Sequence, residues 1–377
     1  MISYFAVRTK SVTPLMNRVA KYATLQCLRN THNKVWLNSP LIAEYSKMNI
    51  NPVTLDYLLT LEQDVSVCAL YVHRELPIRL ARRVRAIEKL PFIVGVNPYI
   101  SQVYELYRDS FSRLIEFPTP KTEELQKEYA SVLAELTEHH QSVIPNLAKG
   151  FKECGRYMSQ PAKQEFLDEM IRARIGIRVI AEHYLSLQSP RAGWIGVVNT
   201  QSSPTAILTS ICNYVQQLCE FNYGTTPEYE IHGFTDTKFA YINVHMEYIF
   251  MELIKNAMRA TVEESNKLKR FDHPPVEICI GRSNDDVIIR FRDQGGGIPL
   301  KVEKEDEDDF LSSQSRMSMV QATGGPIAGL GFGLPMSRVY AKYFGGSLEF
   351  RSVSGHGTDV FLQFPNISRN KLQLKIE

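Results

Sequence analysis

From about residue 41 to residue 189, apolar residues recur at helical spacing with few glycines and short punctuated joints, so this half of the chain predicts long helices. Over 75–90, Leu76, Leu80, Val84 and Ile87 share one face, while Arg79, Arg82, Arg83 and Arg85 fall mostly on the other, a pattern that predicts a solvated basic surface. Pro91, Pro98, Pro118 and Pro120 mark breaks, and further helices are predicted over 121–150 and 161–187. Several such helices joined by short loops predict a bundle.

After Ser189 the texture changes. A turn-rich stretch (188–204) leads to a helical run over 206–220, and β-like and helical segments then alternate. Val276, Ile278 and Ile280 alternate with Glu277 and Cys279; after the polar turn 282–286, Val287, Ile289 and Phe291 alternate again. This predicts a hairpin with one buried face. A second hairpin is predicted from 347–353 and 358–364 around Gly355-His356-Gly357. The acidic run EKEDEDD (303–309) lies between two glycine clusters and predicts a mobile, solvated loop.

Length and composition narrow the class. The 377 residues suffice for two domains with substantial cores, and 44% hydrophobic with 22% charged residues is ordinary globular composition. No run reaches the roughly 18 consecutive apolar residues of a membrane span. The six cysteines form no CxxC pair, which disfavours a zinc ribbon or a disulfide scaffold and predicts free thiols. The net charge of +2 is unevenly spread: residues 1–43 carry six basic residues and no acid, leaving 37 basic and 41 acidic residues elsewhere. Bulk charge therefore gives no reason to expect a nucleic-acid partner. The basic, acid-free opening has the composition of a mitochondrial presequence, assigned to 1–38.

The chemistry concentrates in three places. A helical run over 245–265 places Glu252, Asn256, Arg259 and Glu263 on one narrow stripe. An amide oxygen suits a hard, partly hydrated Mg²⁺, and a carboxylate one turn away can orient or deprotonate a nucleophile. Next comes Asp293-Gln-Gly295-Gly296-Gly297-Ile298 directly after a predicted strand, and then Gly329-Leu330-Gly331-Phe332-Gly333-Leu334 opening a helix. Glycines and a helix start let backbone N–H groups approach phosphates. The second cluster follows no strand, and the Lys-Ser/Thr pair of a P-loop is missing, so neither a Rossmann site nor a Walker site is indicated.

The ordered set of helix with Glu and Asn, strand, DxGxG, loop, GxGxGL and helix resembles the Bergerat-type (GHKL) ATP fold of Hsp90, type II topoisomerases, MutL and histidine kinases. ELIKNAMRAT, DQGGGI and GLGFGLPMSRVYAKYFGGSL resemble the mitochondrial 2-oxoacid dehydrogenase kinases, pyruvate and branched-chain, and ELPIRLARRVRAIEKLP and RIGIRVIAEHYLSL extend the likeness into the helical half. The resemblance implies an α + α/β architecture: a four-helix-bundle-like regulatory and docking domain (39–189) followed by a Bergerat-type α/β sandwich that binds ATP (190–377).

By matched position, the resemblance implies Glu252 as general base and Asn256 as Mg²⁺ ligand, with Lys255 and Arg259 near the phosphates. Asp293 would accept from the adenine amino group, with Gly295, Gly297 and Thr358 beside the base. Gly329, Leu330, Gly331, Phe332, Gly333 and Leu334 would form the phosphate-facing end of the ATP lid. His140, Arg174 and Arg178 match the region where the family binds small 2-oxoacid inhibitors. The implied activity is a matrix protein-serine kinase that inactivates a dehydrogenase complex through its decarboxylase α-subunit. Docking on the lipoyl domain of the acyltransferase core and a homodimer are also implied. Pyruvate dehydrogenase is the expected target because most of the family serves it; Tyr248, where the pyruvate type has histidine, and the short C-terminal tail point instead to the branched-chain type.

Two rival readings follow from the residues. His140-Gln-Ser-Val-Ile-Pro145 has the His-to-Pro spacing of a histidine-kinase phosphoacceptor, without its flanking acid and base. An ATP-binding module that has lost transfer is the other, and the presence of both Glu252 and Asn256 speaks against it. The lid also departs from the family, since an acidic run and FLSSQSRMSMVQATGG replace its usual aromatic and Ser-Thr-Ala stretch.

Overall fold

Side chains that satisfy backbone donors of the first turn set where several of the helices begin. The computed structural model describes residues 39–61, 64–298 and 333–365. The leader, the acidic lid, and Gly329, Leu330, Gly331 and Phe332 lie outside the described residues. Two short helices, α1 (Pro40–Tyr45) and α2 (Leu55–Thr60), precede α3 (Val65–Glu88). Asp64 caps α3 by accepting from the N–H groups of Ser66 and Val67. Asn97 does the same for α5 (Pro98–Glu116), with Pro98 in the first turn, where its missing N–H costs nothing. Between them lies the four-residue α4 (Phe92–Gly95). The helices α6 (Glu123–His139), α7 (Val143–Cys154) and α8 (Gln160–Leu187) complete the bundle. Helix α3 packs on α5 and α8, and α6 packs on α8. Tyr107, Tyr129 and Tyr184 are fully buried, with Tyr129 and Tyr184 in contact at 5.9 Å between ring centroids.

Two sequence expectations fail here. The single helix over 121–150 is broken by a 3-10 turn at His140–Ser142. Pro145 has no N–H to return to the carbonyl four residues earlier, and its ring crowds that turn. The arginine side of α3, expected to be solvated, is instead covered. Arg79 is buried, lies 3.7 Å from the fully buried Glu75 and donates to the Asn51 carbonyl at 2.7 Å. Arg82 donates to the Met48 carbonyl, and Arg85 pairs with Glu88 at 2.6 Å. The segment joining α1 to α2 runs over this face, and the guanidinium groups satisfy its carbonyls while their aliphatic stems pack.

The second half opens with a short hairpin inside the stretch read as turn: β1 (Trp194–Ile195) pairs with β2 (Val198–Ser202). Helix α9 (Pro204–Tyr223) follows, then β3 (Tyr229–Gly233), β4 (Phe239–Tyr241) and α10 (Asn243–Lys267). The predicted hairpins appear as β5 (Val276–Arg282) with β6 (Asp286–Asp293), and β7 (Ser347–Val353) with β8 (Gly357–Pro365). Helix α11 (Gly333–Tyr343) precedes β7. The main sheet has the order β3-β5-β6-β8-β7, with β3 parallel to β5 and the rest antiparallel; β1, β2 and β4 form a second, three-stranded sheet. Phe250 of α10 meets Phe291 of β6 and Phe364 of β8, and α10 packs on α9 and α11. The outcome is a helical N-terminal region followed by an α/β sandwich. Helix α11 touches both, packing on α8 of the bundle and on α10.

Candidate active site

Sheet register places the first half of the site. Asp293, the last residue of β6, stands directly across the ladder from Thr358 of β8, and its Oδ1 accepts from the Gly295 N–H at 2.9 Å. Burial raises the Asp293 carboxyl to about 6, against the lowering effect of the Gly295 and Thr358 backbone donors. Two rungs along the same strands, Val360 faces Phe291 on one side and Phe350 on the other. These three side chains join Leu253, Ala257 and Ile298 in lining a cavity of about 350 Å³. A carboxylate at the edge of an apolar slot can accept from the edge of a flat heterocycle while the apolar lining holds its faces.

Helix α10 supplies the other wall. Asn256, Arg259 and Glu263 line the cavity together with Gly295, Gly297, Leu334 and Thr358. Gly297 has φ +68, and a Cβ there would strike the Val353 carbonyl, so the turn after Asp293 closes over β7 only with glycine. Ser352 secures the same turn by accepting from the Ile298 N–H at 2.8 Å. Both positively charged candidates on α10 are already engaged. Arg259 Nε donates to Glu263 at 2.8 Å, and Lys255 Nζ donates to Glu252 Oε1 at 2.6 Å. Glu252, Lys255 and Gly333 form a cluster one turn before Asn256, beside the cavity and outside its lining. Tyr248 lies a turn earlier still, with its hydroxyl against Met336 Sδ at 3.5 Å and its ring against Tyr340.

No group of three or more His, Cys, Asp or Glu is placed to hold a metal among the described residues. Nucleotide sites bind Mg²⁺ with one or two protein oxygens and fill its remaining positions with phosphate and water. Asn256, on the cavity wall, is the residue placed to provide such an oxygen.

The bundle holds a second, smaller cavity of about 40 Å³, lined by His140, Arg174, Arg178 and apolar residues including Leu76 and Leu133. His140 Nε2 lies 2.9 Å from Ser110 Oγ, and its carbonyl accepts from Arg174. Burial, with the nearby Arg174 charge, lowers the His140 imidazole to about 4. Arg178 pairs with Glu182 at 2.7 Å.

The motifs alone single out Asp293, Asn256 and the glycines. The apolar lining was legible only as ordinary strand alternation, and Ser352 carried no signal at all.

A mixed sheet backed by α10, with Asn256 and Asp293 facing one cavity, defines an ATP-binding domain of the histidine kinase, DNA gyrase B and HSP90 class, and residues 242–367 match the family model of that description. Residues 52–203 match the model described as mitochondrial branched-chain alpha-ketoacid dehydrogenase kinase. The two matches together support membership of the mitochondrial 2-oxoacid dehydrogenase kinase family. Among similar proteins, a mitochondrial [pyruvate dehydrogenase (acetyl-transferring)] kinase of Arabidopsis thaliana is 29% identical over 343 residues, covering 86% of this chain and 93% of its own. The mitochondrial isozyme 4 of Ictidomys tridecemlineatus is 28% identical over 87% of this chain and 84% of its own. The mitochondrial isozyme 3 of Mus musculus is 28% identical over 88% and 85%. No described helix is long and apolar enough to cross a membrane.

Proposed function

We propose that this chain is a protein-serine kinase of the mitochondrial matrix that phosphorylates, and so inactivates, the decarboxylase α-subunit of the pyruvate dehydrogenase complex. The observation that carries the reading is the order along α10: Glu252 stands one turn before Asn256, at the edge of a cavity whose far end holds the buried Asp293. Asp293 would fix the base of ATP, with Gly295, Gly297 and Thr358 beside it, and Asn256 would hold Mg²⁺. Glu252 takes the proton from the serine hydroxyl. Lys255 holds the Glu252 carboxylate in place, and Arg259 borders the phosphates from its pair with Glu263. Mg²⁺, when bound, neutralises the charge that develops on the transferred phosphoryl group. Leu334, at the start of α11, lines the cavity and borders the phosphates.

The bundle (39–189) serves docking on the lipoyl domain of the acyltransferase core, the ATP domain (190–377) serves transfer, and two copies form a homodimer. Tethering to the core raises the local concentration of the substrate serine. His140, Arg174 and Arg178 line a cavity suited to a small 2-oxoacid, whose carboxylate two arginines can hold. The basic leader (1–38) directs import and is removed. The pyruvate target rests on the names of relatives that match more than four-fifths of the chain.

A second target, the branched-chain 2-oxoacid dehydrogenase, is favoured by Tyr248 and by the description of the family model over 52–203. Against a histidine kinase stands the contact of His140 Nε2 with Ser110, which occupies the nitrogen a phosphoacceptor would use. The deciding experiment measures acid-stable phosphate transferred to each purified complex, with and without its lipoyl domain. Labelling of the pyruvate decarboxylase α-subunit is expected; selective labelling of the branched-chain enzyme would reverse the choice of target, and acid-labile or absent label would reject the serine-kinase reading.

A further inference from the structure

The arginine cluster of α3 is used by no step of the transfer reaction, and the structure gathers it, half-buried, around a second open cavity. Lys47, at the end of α1, and Arg82, Arg83, Arg85 and Lys89 converge on a solvent-open cavity of about 550 Å³ between α3 and the start of α8. Its apolar side is formed by Ala86, Leu90, Ala162 and Phe166, and the only carboxylates lining it are Glu165 and Glu169. Five positive charges thus face two negative ones.

Local pairing does not account for the surplus. Arg85 is held by Glu88 at 2.6 Å. Arg83 reaches Glu169 only at 3.6 Å, beyond hydrogen-bond length, and the Glu169 side chain is 59% exposed and free to swing away. Arg82 spends one nitrogen on the neutral Met48 carbonyl, and no carboxylate among the described residues pairs with Lys47 or Lys89. The Nε atoms of Arg82 and Arg83 and Nη1 of Arg83 are buried with no hydrogen-bond partner.

We propose that this cavity is a binding site for a small anion carrying two phosphoryl groups, separate from the nucleotide cavity. Two guanidinium groups match phosphoryl oxygens in fork geometry, and lysines add point charge. Five cations against two carboxylates, around a cavity of about 550 Å³, offer more charge and more room than one phosphate fills and suit two. The apolar side accepts the atoms that link them.

The test is calorimetric titration of inorganic pyrophosphate into the full chain without magnesium, so that the nucleotide cavity contributes little. Saturable binding is expected, with orthophosphate at least tenfold weaker and both weakened by added chloride. The double variant Lys47→Gln/Lys89→Gln changes two side chains that make no described structural contact, and it should raise the dissociation constant at least tenfold with an unchanged melting temperature. Asn256→Ala should leave pyrophosphate binding intact. The proposal is overturned by absence of saturable binding, by binding that survives the lysine variant or vanishes in Asn256→Ala, by orthophosphate binding as tightly as pyrophosphate, or by capture of an Asp-rich peptide in preference to pyrophosphate.

Discussion

The backbone of Gly333 lies against the Glu252 carboxylate so closely that a Cβ on residue 333 would overlap Glu252 Oε2. With Lys255 fixing the other oxygen at 2.6 Å, the carboxylate is clamped between its own helix and the first residue of α11. Helix α11 also packs on α8 of the bundle, so the position of the proposed base depends on how the two regions meet. Gly333→Ala should therefore lower turnover at least tenfold by displacing Glu252, a larger loss than any fall in nucleotide affinity from its place beside the phosphates. Steady-state transfer beside equilibrium nucleotide titration separates the two; equal loss of both would mean that the contact serves only nucleotide binding.

Glu252 and Asn256 should fail differently when replaced. Glu252→Gln keeps the shape and removes the base, so binding of Mg²⁺-ATP should persist while transfer falls by about 10² to 10⁴. Asn256→Ala should abolish magnesium-dependent nucleotide binding. Near-normal turnover in Glu252→Gln would exclude the assigned role.

The pH dependence should trace Asp293. Its folded pKa of about 6 lies above the unfolded value of 3.8, so the folded state prefers the protonated carboxyl. The resulting stabilisation is complete below pH 3.8 and is lost as the pH rises through 6, at a cost on the order of 3 kcal/mol for the ionised form. Nucleotide affinity should run the other way, weakening below pH 6 as the carboxylate that accepts from the base becomes protonated. In Asp293→Asn the unliganded protein should melt higher than the wild type above pH 6, and nucleotide affinity should be weaker and flat in pH. Unchanged pH profiles of both melting and binding in that variant would remove Asp293 from the explanation.

Tyr241 offers a control for packing without function. Its ring is fully buried against Phe239, Phe344 and Phe364, and its hydroxyl has no hydrogen-bond partner. Burying an unpaired hydroxyl costs about 1–3 kcal/mol, so Tyr241→Phe should raise stability in urea by up to that amount and leave transfer unchanged. Phe364→Ala removes a ring from the same cluster and should cost about 3–5 kcal/mol. A destabilised Tyr241→Phe would reveal a partner for the hydroxyl.

The sequence by itself determined the elements and the chemistry-bearing residues. The period-2 alternation of β5 and β6 and the helical stripe of α10 are local, because each element must turn its apolar residues to one side whatever it packs against. Asp293 and its glycines were legible for the same reason, since a tight turn after a strand dictates residue type within a few positions. What lay beyond the sequence is set by neighbours distant in the chain. Periodicity places Arg79, Arg82, Arg83 and Arg85 on the polar side of α3, but only the tertiary fold brings residues 46–51 and Glu169 over that side and turns a surface into a lined cavity. Nor does local pattern reveal that β8 lies between β6 and β7, which puts Thr358 beside Asp293 and Phe350 beside Val360. Strand order and helix docking are decided by which complete set of apolar faces buries together, a sum over the whole chain that no window of sequence contains.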